Sequence, residues 1–463
     1  MITRSARNAL KEAAGAVHYI DSPADRHVYG YDATGNFHPP EAVIRATDPE
    51  QVSRILAACT DYRVPVVARG AGTGLSGGSI PVAGGVVLDM AGLDRIIRID
   101  PADGVAEVEP GVVTADLQAE ARKHGRFYPP DPASVDVCTI GGNIAENAGG
   151  LRAVKYGVTR DYVMALTAVL PDGRIFATGR PTIKTVVGYD LTRLLVGSEG
   201  TLAVIVGATL RLLPLPEARA TVSALFSETG PAADGVGAVL ASGIRPTALE
   251  FIDATCLNAV SRYTDLGIDP SARAMLLIDV DGPPEVVGRQ AGDLARILEG
   301  AGASAVHRAE GEAEADRLWK ARRSLNPAMR HIARGKLPED IVVPLSQLAT
   351  MVARVEAMSR KYGLAIPTFG HAGDGNLHVN VMFDPDDPAQ TKAAHRAVDD
   401  VFRETLALGG SLSGEHGVGI TKRDYVGDEI DPTAADLMRG IKALFDPAGI
   451  LNPHKALPRM SAE

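Results

Sequence analysis

Residues 65–78 read Pro65-Val-Val-Ala-Arg-Gly-Ala-Gly-Thr-Gly-Leu-Ser-Gly-Gly78. The β-branched stretch Pro65–Ala68 predicts a short strand, and this strand runs into a loop, Arg69–Gly78, in which five of ten residues are glycine. Because glycine has no side chain to shield the main chain, such a loop can present N–H groups to a phosphate. The spacing is neither that of a P-loop nor that of a Rossmann turn. A tight connection without a ligand is the alternative interpretation, and this loop alone does not decide between them.

Two more segments of the first half are rich in glycine. They are Gly141-Gly-Asn-Ile-Ala-Glu-Asn-Ala-Gly-Gly150 and Gly197-Ser-Glu-Gly-Thr201. Three such segments in one region favour a ligand over three unrelated turns. Together they indicate a long, multiply charged cofactor that lies across the main chain.

Length, charge and cysteine content narrow the class of protein. A chain of 463 residues predicts two or more domains. The net charge of −10 argues against nucleic acid or an anionic membrane as the main partner. No stretch approaches the roughly 20 apolar residues of a transmembrane helix, and the first residues do not resemble a signal peptide. The three cysteines, Cys59, Cys138 and Cys256, are too scattered for a four-cysteine iron–sulfur cluster, and we expect a reducing cytoplasm.

Strand and helix signals alternate along the first half, up to a boundary at Pro214-Leu-Pro216. Asp48–Tyr62 is predicted to be a helix with Asp48 as its N-cap. The other predicted elements are a helix at Thr114–His124 and strands at Gly85–Met90, Val105–Val108, Tyr162–Leu170, Gly197–Val206 and Thr209–Leu213.

The second half has longer alternating units, which indicate an α+β domain. Its predicted strands are Ala220–Phe226, Pro246–Ile252, Ala274–Val280 and Asp340–Pro344. Its predicted helices are Ala232–Ser242, Val286–Ala301, Glu312–Arg330, Leu345–Lys361, Pro388–Leu408 and Thr433–Phe445.

A histidine-rich turn lies in this second half. The chain reads Gly370-His-Ala-Gly-Asp-Gly-Asn-Leu-His378 between two apolar strands, Leu364–Phe369 and Leu377–Phe383. A hairpin folded at Ala372–Asn376 would return His378 beside His371. Imidazoles with a carboxylate, such as that of Ser413-Gly-Glu-His-Gly417, favour a borderline divalent metal, and three ligands leave positions open for substrate. Satisfied core or surface histidines are the alternative.

Seven motifs in this order resemble the D-lactate dehydrogenase, glycolate oxidase and D-2-hydroxyglutarate dehydrogenase group of the vanillyl-alcohol-oxidase-type flavoproteins. The resemblance covers nearly the whole chain. The motifs are Pro65–Gly78, Gly141–Gly150, Lys184-x-x-x-Gly-Tyr-Asp-Leu191, Gly197–Thr201, Gly370–His378, Gly414-Glu-His-Gly417 and Asn452-Pro-x-Lys455.

The resemblance implies an α+β fold with an FAD-binding domain of the p-cresol-methylhydroxylase (PCMH) type, made of two subdomains. This domain is expected at residues 1–217, an α+β cap domain at 218–407, and a C-terminal segment that returns to the FAD domain at 408–463. The residues expected to bind FAD are Arg69, Gly70, Ala71, Gly72, Thr73, Gly74, Pro129, Asp131, Gly142, Asn143, Ala145, Asn147, Gly200, Ile205 and Asn452. Relatives with covalent FAD have a histidine at the place of Thr73, which favours non-covalent FAD here.

The same resemblance assigns the metal and the chemistry. His371, His378 and Glu415 are expected to bind a divalent metal, for which zinc, manganese and iron all suit the ligand set. His416 is expected to be the general base and Arg322 to bind the substrate carboxylate. A solvated helix face carrying Lys320, Arg322 and Arg323 is the alternative for that arginine.

The predicted activity is oxidation of a small D-2-hydroxy acid, D-lactate or glycolate, to the 2-oxo acid. Electrons would pass to an iron–sulfur subunit, an electron-transfer flavoprotein, a quinone or oxygen, with any membrane contact peripheral and through a partner; a homodimer stays open. D-2-hydroxyglutarate would need a second cation, for which Arg330, Lys336 and Arg334 are the candidates. A flavin-binding subunit without chemistry and a metal-dependent hydrolase are the competing hypotheses.

Overall fold

A computed structural model describes residues 1–263 and 268–458, which form two compact units. The glycine-loop unit contains Met1–Gly149, Val158–Leu215 and the segment from Glu415 to the C-terminus. The hairpin unit contains Gly150–Gly157 and Pro216–Gly414. The chain therefore passes between units at 149/150, 157/158, 215/216 and 414/415. The sequence placed domain boundaries at 217/218 and 407/408.

The strands are short in the glycine-loop unit and longer in the hairpin unit. In chain order they are β1 (Tyr19–Ile20), β2 (Ala42–Arg45), β3 (Val66–Arg69), β4 (Val86–Asp89), β5 (Ile96–Asp100), β6 (Val105–Val108), β7 (Arg126–Phe127), β8 (Val163–Val169), β9 (Ile175–Gly179), β10 (Val204–Arg211), β11 (Leu213–Pro214), β12 (Ala218–Phe226), β13 (Ala248–Asp253), β14 (Ala274–Gly282), β15 (Ala305–Arg308), β16 (Gly335–Val342), β17 (Thr368–His371) and β18 (Asn376–Phe383).

The helices alternate with these strands. In chain order they are α1 (Arg4–Ala14), α2 (Pro23–His27), α3 (Pro49–Asp61), α4 (Thr114–Lys123), α5 (Ile140–Glu146), α6 (Ala153–Tyr156), α7 (Leu191–Leu195), α8 (Thr229–Ala241), α9 (Ala254–Tyr263), α10 (Pro284–Gly300), α11 (Glu312–Arg323), α12 (Leu325–Ala328), α13 (Leu348–Tyr362), α14 (Pro388–Ala407), α15 (Val426–Glu429) and α16 (Pro432–Phe445). Within the described residues, no helix has the length and apolar character needed to cross a membrane.

The glycine-loop unit contains two main sheets. In the first, of order β1-β2-β4-β3, strands β2 and β3 both run parallel to β4. The second is antiparallel and has the order β5-β6-β10-β8-β9. Leu10 of α1 and Ile55 of α3 pack in one buried cluster with Ile44 and Leu88 of the first sheet. This packing supports strand β3, from which the loop Arg69–Gly78 leaves.

The hairpin unit is built on one antiparallel sheet of seven strands. Its order is β15-β12-β14-β13-β17-β18-β16. Strands β17 and β18 form the predicted hairpin, with Phe369 opposite His378. The hairpin therefore lies inside the sheet, between β13 and β16, and its side chains have neighbours on both sides.

Several predicted elements are confirmed by the structure. The Asp48 side chain caps α3 by accepting a hydrogen bond from the Gln51 N–H at 2.7 Å. Strand Val105–Val108 has its predicted bounds, and Ala274–Val280 extends by two residues. Patterns that combine a cap or a β-branched run with clear flanking turns were the reliable ones.

Three predicted segments were wrong. The strand at Gly197–Val206 begins only at Val204, because Gly197, Glu199 and Gly200 have positive φ values. Helix α5 (Ile140–Glu146), which Thr139 caps, was not predicted and overlaps the glycine-rich segment Gly141–Gly150. The helix at Glu312–Arg330 ends at Arg323, four residues before Pro327, a residue that has no N–H to donate. The strand expected at Asp340–Pro344 is Gly335–Val342.

Two local features stabilise the hairpin unit. Gly375, in the hairpin turn, has a φ of 83°, and a Cβ there would overlap the Val343 oxygen.

Between α13 and α14, the buried Asp400 carboxylate accepts hydrogen bonds from Lys361 at 2.6 Å and Tyr362 at 2.7 Å, and also from Arg403. Burial alone would raise the pKa of Asp400, but these donors outweigh it and lower the pKa to about 2.

We predict that Gly375→Ala lowers the stability of the hairpin unit by roughly 1–3 kcal/mol, the cost of a non-glycine residue in a left-handed conformation. Urea unfolding measures this. The control is Gly288→Ala on the exposed face of α10, where a Cβ meets nothing within 4 Å and should stabilise by about 0.5–1 kcal/mol. Equal stability of Gly375→Ala and the unsubstituted chain would contradict the described turn.

We also predict that Asp400→Asn destabilises the chain by roughly 1 kcal/mol at pH 7. This is less than the full pKa shift would give, because water screens the exposed Lys361 and Arg403. The folded-state pKa lies below the unfolded value, so the stabilisation is present above about pH 4 and is lost as the pH falls towards 2. Urea unfolding at several pH values tests this, with the exposed Asp234→Asn as the control. A difference that stays constant down to pH 2 would refute it.

Candidate functional site

The two histidines of the hairpin lie close together inside the hairpin unit. The ring centroids of His371 and His378 are 5.1 Å apart, with the ring planes nearly perpendicular. Their exposed fractions are only 7% and 8%. The predicted convergence of these side chains is therefore confirmed, and the alternative of surface histidines is wrong, whereas that of core histidines stays open.

Each histidine lies directly opposite a carboxylate on the neighbouring strand. Glu250 of β13 is in register with His371, and Asp340 of β16 is in register with His378. Residues in register share a face of the sheet, so their side chains meet. Glu250, His371, His378 and Asp340 lie on four adjacent strands, with His378 opposite Phe369, two residues before His371. Both carboxylates have an exposed fraction of 0%.

The Glu250 carboxylate contacts two site residues at once. Its Oε1 is 2.6 Å from His371 Nδ1, and its Oε2 accepts a hydrogen bond from Arg322 Nε at 2.6 Å. Burial by itself would raise the pKa of Glu250, but the charges of Arg322 and His371 outweigh burial and lower the pKa to about 2. Glu250 is therefore a carboxylate held between two cationic or donating partners.

Arg322 is buried at 8% exposure, and its guanidinium lies 4.5 Å from the centroid of the Phe369 ring. The solvated-face interpretation is wrong for this residue, although it holds for Lys320, which is exposed. The periodicity of α11 did not distinguish these cations. Their burial depends on which side of the helix packs on the sheet.

Asp340 holds the chain just before the Glu415-His416 pair. Its Oδ1 accepts a hydrogen bond from Asn376 Nδ2 at 2.6 Å. Its Oδ2 accepts hydrogen bonds from the Gly414 N–H at 3.0 Å and the Ser413 hydroxyl at 3.2 Å. Its Oδ1 is 3.7 Å from His378 Nδ1. Asp340 therefore fixes one end of the segment that leaves the hairpin unit.

Glu199 holds the other end of that segment, inside the glycine-loop unit. Its carboxylate accepts hydrogen bonds from the Val418 and Gly419 N–H groups, each at 2.8 Å. Burial raises the pKa of Glu199, although the two amides and Lys455 partly oppose this effect. In the same unit, a Cβ on Gly149 would lie 2.9 Å from Glu415 Oε2. The Glu415 side chain therefore lies against the end of the second glycine-rich segment, and the half-buried His416 follows it.

Glu250, Asp340 and Glu199 were missed by sequence reasoning. Glu250 lies in a strongly apolar strand, and Asp340 directly precedes the apolar run Ile341–Val343, where an acidic residue is seldom buried without a partner. That signal could have identified them as buried. It could not have identified their partners, which depend on strand order and register.

The loop Arg69–Gly78 is a close-packed cradle in the glycine-loop unit. A Cβ on Gly70 would overlap the Thr139 hydroxyl, and one on Gly72, at a φ of 69°, would overlap the Arg69 guanidinium. A Cβ on Gly74 would meet no atom of residues 1–263 or 268–458 within 4 Å, and Ala71 is exposed. One side of the loop is therefore sealed by protein, and the other side has room for a ligand.

Three buried oxygens around this loop fit a polar cofactor. Asp32 Oδ2, Ser76 Oγ and Glu146 Oε2 are buried, and none has a hydrogen-bond partner among the described residues. Ala33, next to Asp32, donates its N–H to the Gly74 oxygen at 3.1 Å. Burial and the charge of Glu199 raise the pKa of Glu146 well above its usual range. A neutral carboxyl group is a hydrogen-bond donor that a cofactor oxygen or nitrogen could accept.

The other predicted cofactor residues lie in the same unit. Asn143 and Asn147 use their side chains internally, because Asn143 donates to the Thr114 hydroxyl at 2.7 Å and Asn147 accepts from the Arg160 N–H at 2.9 Å. The remaining members are the buried Pro129, the half-buried Asp131, Gly142 and Ala145 of α5, the half-buried Thr73, Gly200 with open space beside it, and Ile205 of β10.

The C-terminal motif is attached to this cradle. The Asn452 side-chain amide donates hydrogen bonds to two main-chain oxygens, that of Gly78 at 2.9 Å and that of Glu199 at 2.6 Å. Lys455 donates to the same Gly78 oxygen at 2.8 Å, and burial lowers its pKa to about 7. Both residues therefore stabilise the loop through its main chain. Lys184 of the other motif is exposed.

Two domain families match this chain. Residues 40–179 match the FAD binding domain, and residues 215–456 match the C-terminal domain of FAD linked oxidases. The second match alone covers more than half of the chain. The metal-dependent hydrolase hypothesis is therefore wrong.

Curated relatives match over almost the full length. "Glycolate oxidase subunit GlcD" of Bacillus subtilis (strain 168) is 43% identical over 456 residues, which are 98% of this chain and 97% of that protein. The protein of the same name from Escherichia coli (strain K12) is 35% identical over 98% of this chain and 91% of its own. "D-lactate dehydrogenase" of Archaeoglobus fulgidus is 36% identical over 95% of this chain and 97% of its own.

Solved structures share the fold at low sequence identity. p-Cresol methylhydroxylase with substrate bound has a TM-score of 0.82 at 17% identity, over 98% of this chain and 97% of that chain. Alkyldihydroxyacetonephosphate synthase has a TM-score of 0.76 at 20% identity, over 98% and 86%. The predicted α+β fold of the PCMH type is confirmed. The chain belongs to the FAD linked oxidases, in the group of the glycolate oxidase subunits GlcD and the D-lactate dehydrogenases, and it is an FAD-dependent oxidoreductase.

Proposed function

We propose that this protein oxidises a small D-2-hydroxy acid, D-lactate or glycolate, to the 2-oxo acid with FAD and a divalent metal. The observation that carries the proposal is the pair of buried imidazoles, His371 and His378, each opposite a buried carboxylate, in a chain of the FAD linked oxidases. FAD needs no such histidine pair for its own binding. The relatives named for glycolate and D-lactate supply the substrate class.

The proposed metal ligands are His371, His378 and Glu415. The hairpin geometry supports the two histidines, and chain continuity supports Glu415, since it follows Gly414, which Asp340 fixes. Two imidazoles and one carboxylate suit zinc, manganese or iron and leave coordination positions open. The donor set therefore fits a Lewis-acid site.

His416, next to Glu415, is the proposed general base, and Arg322 the residue that binds the substrate carboxylate. When bound, the metal would lower the pKa of the substrate hydroxyl, and FAD would accept the Cα hydrogen as hydride at N5. His416 takes the hydroxyl proton on a ring nitrogen, and the C–O bond becomes a carbonyl as the hydride leaves. Arg322 has five N–H donors; its Nε donates a hydrogen bond to Glu250, and its Nη2 lies 2.5 Å from the same carboxylate oxygen. Nη1 is then the nitrogen that is proposed to donate hydrogen bonds to the substrate carboxylate.

We propose that FAD lies on the cradle formed by Arg69, Gly70, Ala71, Gly72, Thr73 and Gly74. Within the described residues, no atom lies within 4 Å of the Gly74 Cβ position, and buried oxygens without a hydrogen-bond partner lie around the loop. Main-chain N–H groups at such a loop would hold the pyrophosphate. Thr73 carries no imidazole, which supports non-covalent FAD.

A small substrate is favoured over D-2-hydroxyglutarate by the surroundings of the three candidate cations. Arg334 is ion-paired with Asp384 and Asp386, Arg330 is exposed, and Lys336 donates to Asn326 at 2.6 Å. None of these contacts favours a second, distal carboxylate. The D-2-hydroxyglutarate activity and a flavin-binding subunit without chemistry remain the alternative proposals.

Electrons are proposed to pass from the flavin to a separate partner, an iron–sulfur subunit, an electron-transfer flavoprotein or a quinone. The cysteine content supports this, because three cysteines, Cys59, Cys138 and Cys256, are too few for a four-cysteine iron–sulfur cluster within this chain. The word "subunit" in the names of two relatives is consistent with a multi-subunit assembly.

We predict that D-2-hydroxy acids bleach the flavin under anaerobic conditions and that their L-enantiomers do not. Metal removal with a chelator and Glu415→Gln should each abolish bleaching by D-lactate, because the hydroxyl pKa is then not lowered. His416→Ala should slow flavin reduction by roughly 10²–10⁴-fold. Stopped-flow absorbance with FAD still bound is the measurement.

The control for these variants is Asp428→Asn, an exposed carboxylate on α15 of the same segment. It should bleach at the rate of the unsubstituted protein. Normal bleaching in Glu415→Gln, or after metal has been removed completely, would refute the metal role.

We predict that Gly74→Ala lowers FAD occupancy without unfolding the protein. Its Cβ meets no described protein atom within 4 Å, and its φ is not positive, so a loss of FAD would report a cofactor contact directly. Flavin absorbance per chain and thermal unfolding of the apoprotein measure the two effects. Gly237→Ala in α8, where the space is also open, is the control. Full FAD content in Gly74→Ala would place the cofactor elsewhere.

A further inference from the structure

We propose that Glu250 is a positioning residue that orients His371 for metal binding and, through its second oxygen, sets the place of Arg322. This inference rests on the proposed function, since it assumes a metal at His371. The inference goes beyond the proposed function because it assigns a role to Glu250, which is not one of the three proposed metal ligands. The Glu250 carboxylate contacts both His371, a proposed metal ligand, and Arg322, the proposed cation for the substrate carboxylate.

The geometry fixes the orientation of the imidazole. Glu250 and His371 are in register on adjacent strands, and Oε1 lies 2.6 Å from Nδ1. A carboxylate at this distance accepts a hydrogen bond, so Nδ1 carries the proton and Nε2 is the nitrogen with a lone pair for a metal. Carboxylates behind metal-bound histidines hold the ring in this way and increase its basicity.

The same carboxylate also fixes Arg322. Oε2 accepts a hydrogen bond from Arg322 Nε at 2.6 Å, and Nη2 of the same guanidinium lies 2.5 Å from this oxygen as an ion pair. Because each oxygen of Glu250 has its own partner, a rotation that improved one contact would weaken the other. The positions of the histidine and the guanidinium are thus coupled through one buried group.

Asp279 offers a matched comparison on the same sheet and the same helix. It is a buried carboxylate of β14, and it accepts a hydrogen bond from Trp319, one turn before Arg322 on α11, at 2.8 Å. It also accepts hydrogen bonds from Thr221 and Arg219. Asp279 therefore attaches α11 to the sheet as Glu250 does, but its partners are an indole, a hydroxyl and a guanidinium rather than a histidine.

The experiment compares the affinity of the FAD-containing protein for Zn²⁺ and Co²⁺ by competition with a chromophoric chelator. Glu250→Gln should weaken binding by roughly 10–100-fold, the usual effect of removing such a partner, and should alter the Co²⁺ absorption spectrum. Asp279→Asn should leave both unchanged. Equal affinity and spectrum in Glu250→Gln and the unsubstituted protein would overturn the inference.

A second pair of variants covers the case in which Glu250→Gln does not fold because Arg322 is left buried without a counter-charge. Arg322→Met alone keeps the carboxylate behind His371, and Glu250→Gln combined with Arg322→Met removes both charges. The double variant should bind Co²⁺ more weakly than Arg322→Met by the same factor; equal binding by these two would overturn the inference. No saturable metal binding by the unsubstituted protein would overturn the proposed function, and the inference with it.

Discussion

The segment Glu415-His416-Gly417 is held on both sides by a buried carboxylate, and the chemistry assigned to it depends on this constraint. Asp340 accepts the Gly414 N–H within the hairpin unit, and Glu199 accepts the Val418 and Gly419 N–H groups within the glycine-loop unit. Only three residues lie between these anchors. Each anchor restricts the main chain beside it within its own unit, so less entropy is lost when the adjacent side chains bind a ligand.

Buried charge is kept in a few compensated groups. Glu250 lies between Arg322 and His371, and Lys455 lies among main-chain oxygens and the Asn452 side chain. Removing one partner from such a group costs more than the pair contributes, because the other charge stays buried and unpaired. The side chains in these groups therefore keep fixed positions relative to their partners. They specify where the hairpin and the glycine loop lie within their own units.

The glycines of this chain have two different kinds of surroundings. At Gly72 and Gly375 the close approach of other protein atoms and a positive φ both exclude a side chain. At Gly74 the protein leaves open space, which is the pattern expected where a ligand approaches the main chain. The sequence shows the same residue at all these places. Only the surrounding atoms distinguish a packing requirement from a ligand requirement.

The sequence by itself determined the family, the glycine-rich cradle and the hairpin that brings His371 to His378, because these depend on local patterns and short spacings. It did not determine that the segment Gly141–Gly150 contains a helix, since a Thr139 cap and close packing override the weak helix propensity of glycine. It also did not identify Glu250, Asp340 or the burial of Arg322. Those contacts join residues 36 to 121 positions apart, so they exist only through strand order and register, which tertiary packing decides.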